Sequence, residues 1–342
     1  MNVQLWEWAV LIGFFIGVLI LDLVVVDRRP HAFTTKEASR WVAFYVAAAV
    51  VFAVWVYLQH GGDYAGQFVA GYVTEYSLSV DNLFVFLVIM TSFAVPATER
   101  HRVLLVGIVI ALILRGIMIA VGAAVIERFS GAFYVFGAFL LWTAWHVARS
   151  GDEEPDPEGN ALVRFVERRV PTVKEYHGHK LTVVLQGKRY VTPMLLVMLA
   201  IGTTDLLFAL DSIPAVFGLT EEPFIVFAAN AFALMGLRQL YFLLSGLADK
   251  VIYLTYGLAV ILGFIGVKLI LEAVEKTTDL HPPHIDTWLS LGVIVGVLVI
   301  TTVASMVAVK RNPELAKSAH GGALDGDHEG DALADVPDDT KH

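Results

Sequence analysis

Residues 103–126 read VLLVGIVIALILRGIMIAVGAAVI, and Arg115 is the one charge among them. A helix rises about 1.5 Å per residue, so roughly 20 such residues cross the hydrocarbon of a bilayer. The stretch WAVLIGFFIGVLILDLVVV (Trp8–Val26) has the same character, with only Asp22 charged. Working outward from these two, the apolar runs predict nine membrane helices. They cover about Trp8–Val26, Trp41–Leu58, Phe68–Thr91, Val103–Ile126, Phe129–Val147, Pro193–Phe217, Phe224–Leu244, Ile252–Leu271 and Trp288–Val309. Thr34 and Glu37 form a capping-box pattern before the second. The composition agrees: 57% of the 342 residues are hydrophobic and 17% charged, against about 45–50% and 25% in a soluble domain. Mean hydropathy is +0.67. A soluble enzyme, a nucleic-acid binder and a disordered chain are excluded. The expected class is all-α, a polytopic membrane protein.

Lys and Arg placement sets the expected orientation. With the N-terminus outside, cytoplasmic segments hold Arg28, Arg29, Lys36, Arg40, Arg100, Arg102, Lys250, eight residues of the 148–192 loop, Lys310, Arg311, Lys317 and Lys341. Only Arg128 and Lys276 fall outside. The expectation is N-out, C-in, with the first span retained, because MNVQLWE has no basic residue of the kind that opens a signal peptide. There is no cysteine, which excludes disulfides, thiolate metal sites and cysteine nucleophiles. Formal charge is −9, but residues 318–342 supply −6 of it. That acidic tail, 313–342, is too poor in apolar residues to fold alone. The 148–192 loop turns from acidic to basic and then alternates around Gln186-Gly187, as a short hairpin does. Its His177 and His179 read as exposed loop histidines rather than a metal site.

The informative residues are charges placed where charge is expensive. An Asp at the centre of a membrane helix costs about 2.5–3.5 kcal/mol on insertion scales. The third span has Glu75, then Asp81-Asn82; the sixth has Asp205, then Asp211-Ser212, at identical spacing. Leu114-Arg115 and Leu237-Arg238 lie deep in the spans that follow each. FGAFLLWTAWH (from Phe136) aligns loosely with LAVILGFIGVK (from Leu258). Spans three to five (about 66–147) therefore resemble spans six to eight (about 193–272). Three is odd, so the second copy runs inverted through the membrane, a transporter plan with its site between the repeats near the midplane.

Residues seven apart on a helix nearly share a face, about 20° off, whereas six apart differ by about 120°. Glu75 thus faces with Asn82, and Asp205 with Ser212, while Asp81 and Asp211 look sideways. Either a break brings both acids of a motif together, or one acid serves the site and the other pairs with an Arg. Pro214 removes a helix hydrogen bond just past Asp211, which marks the sixth span as a candidate for breaking. If all are ionised, Glu75, Asp81, Asp205 and Asp211 outweigh Arg115 and Arg238 by two charges. A divalent cation or two protons would balance them. Carboxylate, amide and hydroxyl oxygens suit Mg²⁺, Ca²⁺ or Mn²⁺ better than Cu(I) or Zn²⁺. Proton relay, anion binding, and acids and arginines that merely tie helices together are the competing readings. Asn230 fits a ligand or an interhelical hydrogen bond equally. Lys268 and Glu272 are spaced to pair. Gly13-x3-Gly17 and Gly292-x3-Gly296 read as packing motifs.

EYSLSVDNLFVF and TTDLLFALDSIPAVF resemble the two signature motifs of the TerC family of bacterial integral membrane proteins. That family includes Alx-type members and is grouped with LysE-like exporters. The resemblance covers most of residues 1–312 and implies tellurium resistance and manganese export. It points to Glu75, Asp81, Asn82, Asp205, Asp211 and Ser212 as the functional residues, with Arg115 and Arg238 as charge partners. The expected function is export of a divalent cation, first Mn²⁺, across the bacterial inner membrane, with no tightly bound cofactor. The alternatives are a membrane scaffold or assembly factor acting through protein partners, and an intramembrane enzyme. HExxH and GxSxG are absent, so no enzymatic activity is expected.

Overall fold

Among the described residues, nine helices stand where the apolar runs predict them. They are α1 (Leu5–Val26), α2 (Thr35–His60), α3 (Gly62–Ser92), α4 (Ala97–Arg128) and α5 (Ala132–Ser150), then α7 (Pro193–Phe217), α8 (Pro223–Leu244), α9 (Leu254–Thr277) and α10 (Thr287–Arg311). Between them come a short helix, α6 (Ala161–Arg169), and a hairpin of β1 (Thr182–Leu185) and β2 (Lys188–Val191). The computed structural model describes residues 1, 3–26, 35–129, 131–150, 161–173, 175–178, 180–185, 187–244, 253–278, 280, 282–283 and 285–311. Thr34, His179, Gln186 and the acidic tail lie outside the described residues, as do the side chains of Asp22, Asp81 and Arg238. Six helices, α2, α3, α4, α7, α9 and α10, are long and apolar enough to cross a membrane, and α1 and α8 contain shorter apolar stretches.

Several helices overrun the predicted spans. α3 has 31 residues and α4 has 32, because polar flanks such as Gly62–Gln67 and Ala97–Arg102 continue the helix beyond the apolar run. Gly61, at φ 99°, makes the one-residue break between α2 and α3, a backbone state open to glycine. The hairpin forms as expected, Leu185 opposite Lys188, with Gly187 at φ 77°. Thr192 anchors it to α7: its hydroxyl donates to the carbonyls of Lys180 at 2.6 Å and Leu181 at 3.0 Å, and Pro193 opens the helix. α6 has no apolar run long enough to announce it. It packs on α7 and buries Val163.

The bundle has an internal logic. α3 packs on α8 and α4 on α7; α5 lies along α9; α4 meets α8 and α3 meets α7; slighter contacts join α5 to α7 and α3 to α9. If α3, α4 and α5 are exchanged with α7, α8 and α9 respectively, this set of partners maps onto itself, as a repeat requires. Glycine sets the closest crossing. A Cβ on Gly137 of α5 would stand 2.9 Å from the Gly266 carbonyl oxygen of α9. Gly13, Gly17, Gly292 and Gly296 behave differently from the packing motifs expected of them. A Cβ on any of them would meet nothing within 4 Å. They sit on helices whose outer faces expose Ile16, Ile20, Ile300 and Val303, surfaces suited to lipid rather than water.

Candidate functional site

α3, α4, α7 and α8 cross one another around a single side chain. Arg115, at the middle of α4, is 1% exposed and has the largest fully buried side chain among the described residues. Glycines permit the approach. A Cβ on Gly71, one turn before Glu75, would lie 3.2 Å from both Ala229 of α8 and Val216 of α7. One on Gly107 of α4 would lie 2.9 Å from Ile201 of α7. With the backbones this close, side chains from all four helices reach one guanidinium.

Arg115 Nε donates to Asp205 Oδ2 at 3.3 Å, and Nη2 donates to Asp205 Oδ1 at 3.1 Å. This two-point contact is the strong geometry for an arginine and a carboxylate. Nη1 has three acceptors: Glu75 Oε1, Ser212 Oγ at 3.2 Å and Asn230 Oδ1 at 2.9 Å. Glu75, Asp205, Ser212 and Asn230 are all at most 2% exposed. Nη1 carries only two hydrogens, so three acceptors compete for two donors. Among the described residues Glu75 Oε2 is buried with no hydrogen-bond partner, as is Ser79 Oγ one turn further along α3. With both carboxylates ionised the cluster bears a net −1.

The first acids of the two motifs thus converge, one from α3 and one from α7, on a shared arginine. Asp205 and Ser212 share a face, as seven-residue spacing requires. Their helix is not broken: α7 runs unbroken from Pro193 to Phe217 through Pro214. The expected break is corrected for a simple reason. Pro214 lies in the last turns of α7, where φ suits a helix and a single lost N–H bond is tolerated, and Asp205 reaches the site without any break. Asn82 and Asp211 are half-buried; Asp211 precedes Ser212 and so sits about 100° around the helix from it. Asn230 is the member of this cluster that sequence reasoning left undecided. Its only signal is an amide in an otherwise apolar run, and its internal counterpart, eight residues before Arg115, is Gly107.

Among the described residues, no three His, Cys, Asp or Glu side chains form a ready metal cage. His177 is exposed, with its ring Nδ1 3.0 Å from the Glu175 carbonyl. Glu272 pairs with Lys276 at 3.5 Å, and Lys276 also pairs with Glu221; the expected partner Lys268 acts on Glu272 through its charge, with no ion-pair contact between them among the described residues. Glu272 and Lys268 line a cavity of about 300 Å³ beside Gln67, Thr220 and Glu221. Burial pushes the Glu221 carboxyl up, but its hydrogen bonds with Glu272 and Lys276 outweigh this and hold it below the ordinary value. At the opposite end Tyr176 donates to the Phe93 carbonyl at 2.7 Å, and burial raises its hydroxyl to about 12.

Comparison with known proteins gives a consistent picture. The family profile "Integral membrane protein TerC family" matches residues 60–313. The uncharacterized membrane protein Rv2723 of Mycobacterium tuberculosis is 47% identical over 310 residues, 87% of this chain and 78% of the relative. The uncharacterized membrane protein STKORF319 of Myxococcus xanthus is 42% identical over 306 residues, covering 90% and 93%. A protein of Escherichia coli named "Putative membrane-bound redox modulator Alx" is 40% identical over 301 residues, covering 84% and 91%. No solved structure matches the chain.

Proposed function

Because the chain belongs to the TerC family of integral membrane proteins, we propose that it exports divalent metal cations, Mn²⁺ first among them, through a site between its two repeats. Glu75, Asp205, Ser212 and Asn230 supply the oxygen ligands; Asp81, Asn82 and Asp211 flank that site along α3 and α7. The observation that carries this reading is the convergence of two carboxylates, a hydroxyl and an amide oxygen at mid-bundle. Hard oxygen ligands of this kind suit Mn²⁺, Mg²⁺ or Ca²⁺. Two carboxylates neutralise one divalent ion, so the ligand set itself is neutral once loaded, a favourable state in a low-dielectric core. The Lys and Arg asymmetry supports an orientation with the N-terminus outside, and long apolar helices support residence in a bacterial inner membrane rather than in an outer one. An enzymatic role has no nucleophile or metal-hydrolase motif to support it.

The chain has no cysteine, so a redox effect of the kind the Alx name suggests would reach it through metal balance, not through thiols. Tellurium resistance would likewise be indirect. The test is flux from proteoliposomes across a panel of divalent metals and oxyanions, with and without a pH gradient. Mn²⁺ movement in the parent protein and its loss in Asp205→Asn is the expected result. A parent protein that moves no divalent cation overturns the proposal.

A second reading, a non-transporting scaffold or assembly factor, has one observation in its favour: Arg115 ties α3, α4, α7 and α8 together, which is what structural glue would do. It expects no flux and co-purification of defined protein partners.

A further inference from the structure

We infer that Arg115 is a tethered stand-in for the transported cation: its guanidinium occupies the position the metal ion takes, and loading requires its withdrawal. The inference rests on the cation-export reading. Each of the four side chains that could ligate a metal in this cluster already directs an oxygen at the guanidinium, and only Glu75 Oε2 is left over. Asp205 uses both oxygens on Nε and Nη2, and Glu75, Ser212 and Asn230 crowd Nη1. Metal–oxygen distances of about 2.0–2.6 Å are shorter than the Asp205, Ser212 and Asn230 contacts. An ion drawing in the same oxygens would stand where the guanidinium stands, so the two exclude each other.

Charge gives the exclusion a purpose. Bare, the two carboxylates would leave −2 in the core of the membrane, a costly state. With Arg115 in place the cluster carries −1; with a divalent ion in its place the ligand set is neutral, and the withdrawn guanidinium keeps its own charge outside that set. The tethered cation therefore makes the unloaded site tolerable, and a divalent ion outcompetes it by completing neutralisation. The unpartnered Glu75 Oε2 fits this account. A monovalent guanidinium leaves one carboxylate oxygen unused, which a second positive charge would engage. A purely structural arginine has no need of a surplus acceptor.

The experiment uses purified full-length protein, Mn²⁺ binding followed by loss of the free-ion paramagnetic signal, and thermal unfolding. Arg115→Ala is expected to bind Mn²⁺ at least about tenfold more tightly than the parent, because the competent state is no longer blocked. Free guanidinium should stabilise this variant and raise the apparent Kd for Mn²⁺ in proportion to its concentration. Arg115→Lys keeps a charge but cannot span the acceptors, so its Mn²⁺ affinity should be intermediate; it also serves if the Ala variant does not fold. If guanidinium stabilises Arg115→Ala while Mn²⁺ neither binds more tightly nor is displaced, Arg115 is a structural tie and the inference fails. Flux by the parent, measured in parallel, separates the two ideas. Flux without competition sinks this inference alone. Competition without flux sinks the export reading alone, and absence of both sinks both.

Discussion

Replacing either acid of the cluster by its amide should separate stability from transport. Asp205 holds Arg115 by two donors, Nε at 3.3 Å and Nη2 at 3.1 Å. An Asn there accepts through one oxygen only, and its NH₂ group then faces an N–H across the second contact. Asp205→Asn thus loses a charge and turns one hydrogen bond into a donor–donor conflict. Disrupting a buried ion pair from one side costs about 3–5 kcal/mol. Glu75 is different, because only Oε1 meets Arg115 while Oε2 has no hydrogen-bond partner. A Gln can keep its carbonyl on Nη1 and place its NH₂ where Oε2 was, with no donor opposed. A charge-assisted bond then becomes an ordinary one, a loss of about 1 kcal/mol. Both variants remove one of two ligand charges, so Mn²⁺ flux should fall at least about tenfold in each. Unfolding in mixed micelles measures the stabilities, and proteoliposome flux measures the function. Equal destabilisation by the two changes would refute the view that Asp205 is the principal anchor of Arg115.

Three further outcomes are expected. Gly137→Ala would put a Cβ 2.7 Å from Ile270 and 2.9 Å from the Gly266 carbonyl, so it should lose about 1–3 kcal/mol by overpacking, whereas Gly292→Ala, with nothing within 4 Å, should be neutral by the same unfolding assay. Asn230→Leu removes one of the three acceptors on Nη1; Mn²⁺ affinity should drop while folding, monitored by thermal unfolding, changes little because two acceptors still fill the two hydrogens. Tyr176 has its hydroxyl raised to about 12 in the fold against about 10 unfolded, so its contribution is fully present below pH 10 and is lost as pH rises towards 12. Tyr176→Phe should abolish that alkaline loss, read as protease cutting of the 161–191 segment, at the expense of the bond to Phe93.

Helix number, the hairpin and the repeat were legible in the sequence because each leaves a periodic trace. Twenty apolar residues, strict alternation around a glycine, and two motifs at equal spacing are all features a linear pattern carries. Arg115 and Arg238 are both expected from the sequence as charge partners of the motifs. Glu75 and Asp205, the first acid of each motif, converge on Arg115, whereas the side chain of Arg238 lies outside the described residues. Equal spacing in the two motifs could not reveal that both acids meet one guanidinium, because a linear pattern does not record which helices cross. Asn230 was undecidable for a related reason: its counterpart is Gly107, so the repeat offers no second copy to point at it. A symmetric pair of motifs thus encloses an asymmetric site, with one arginine and one amide drawn from opposite repeats.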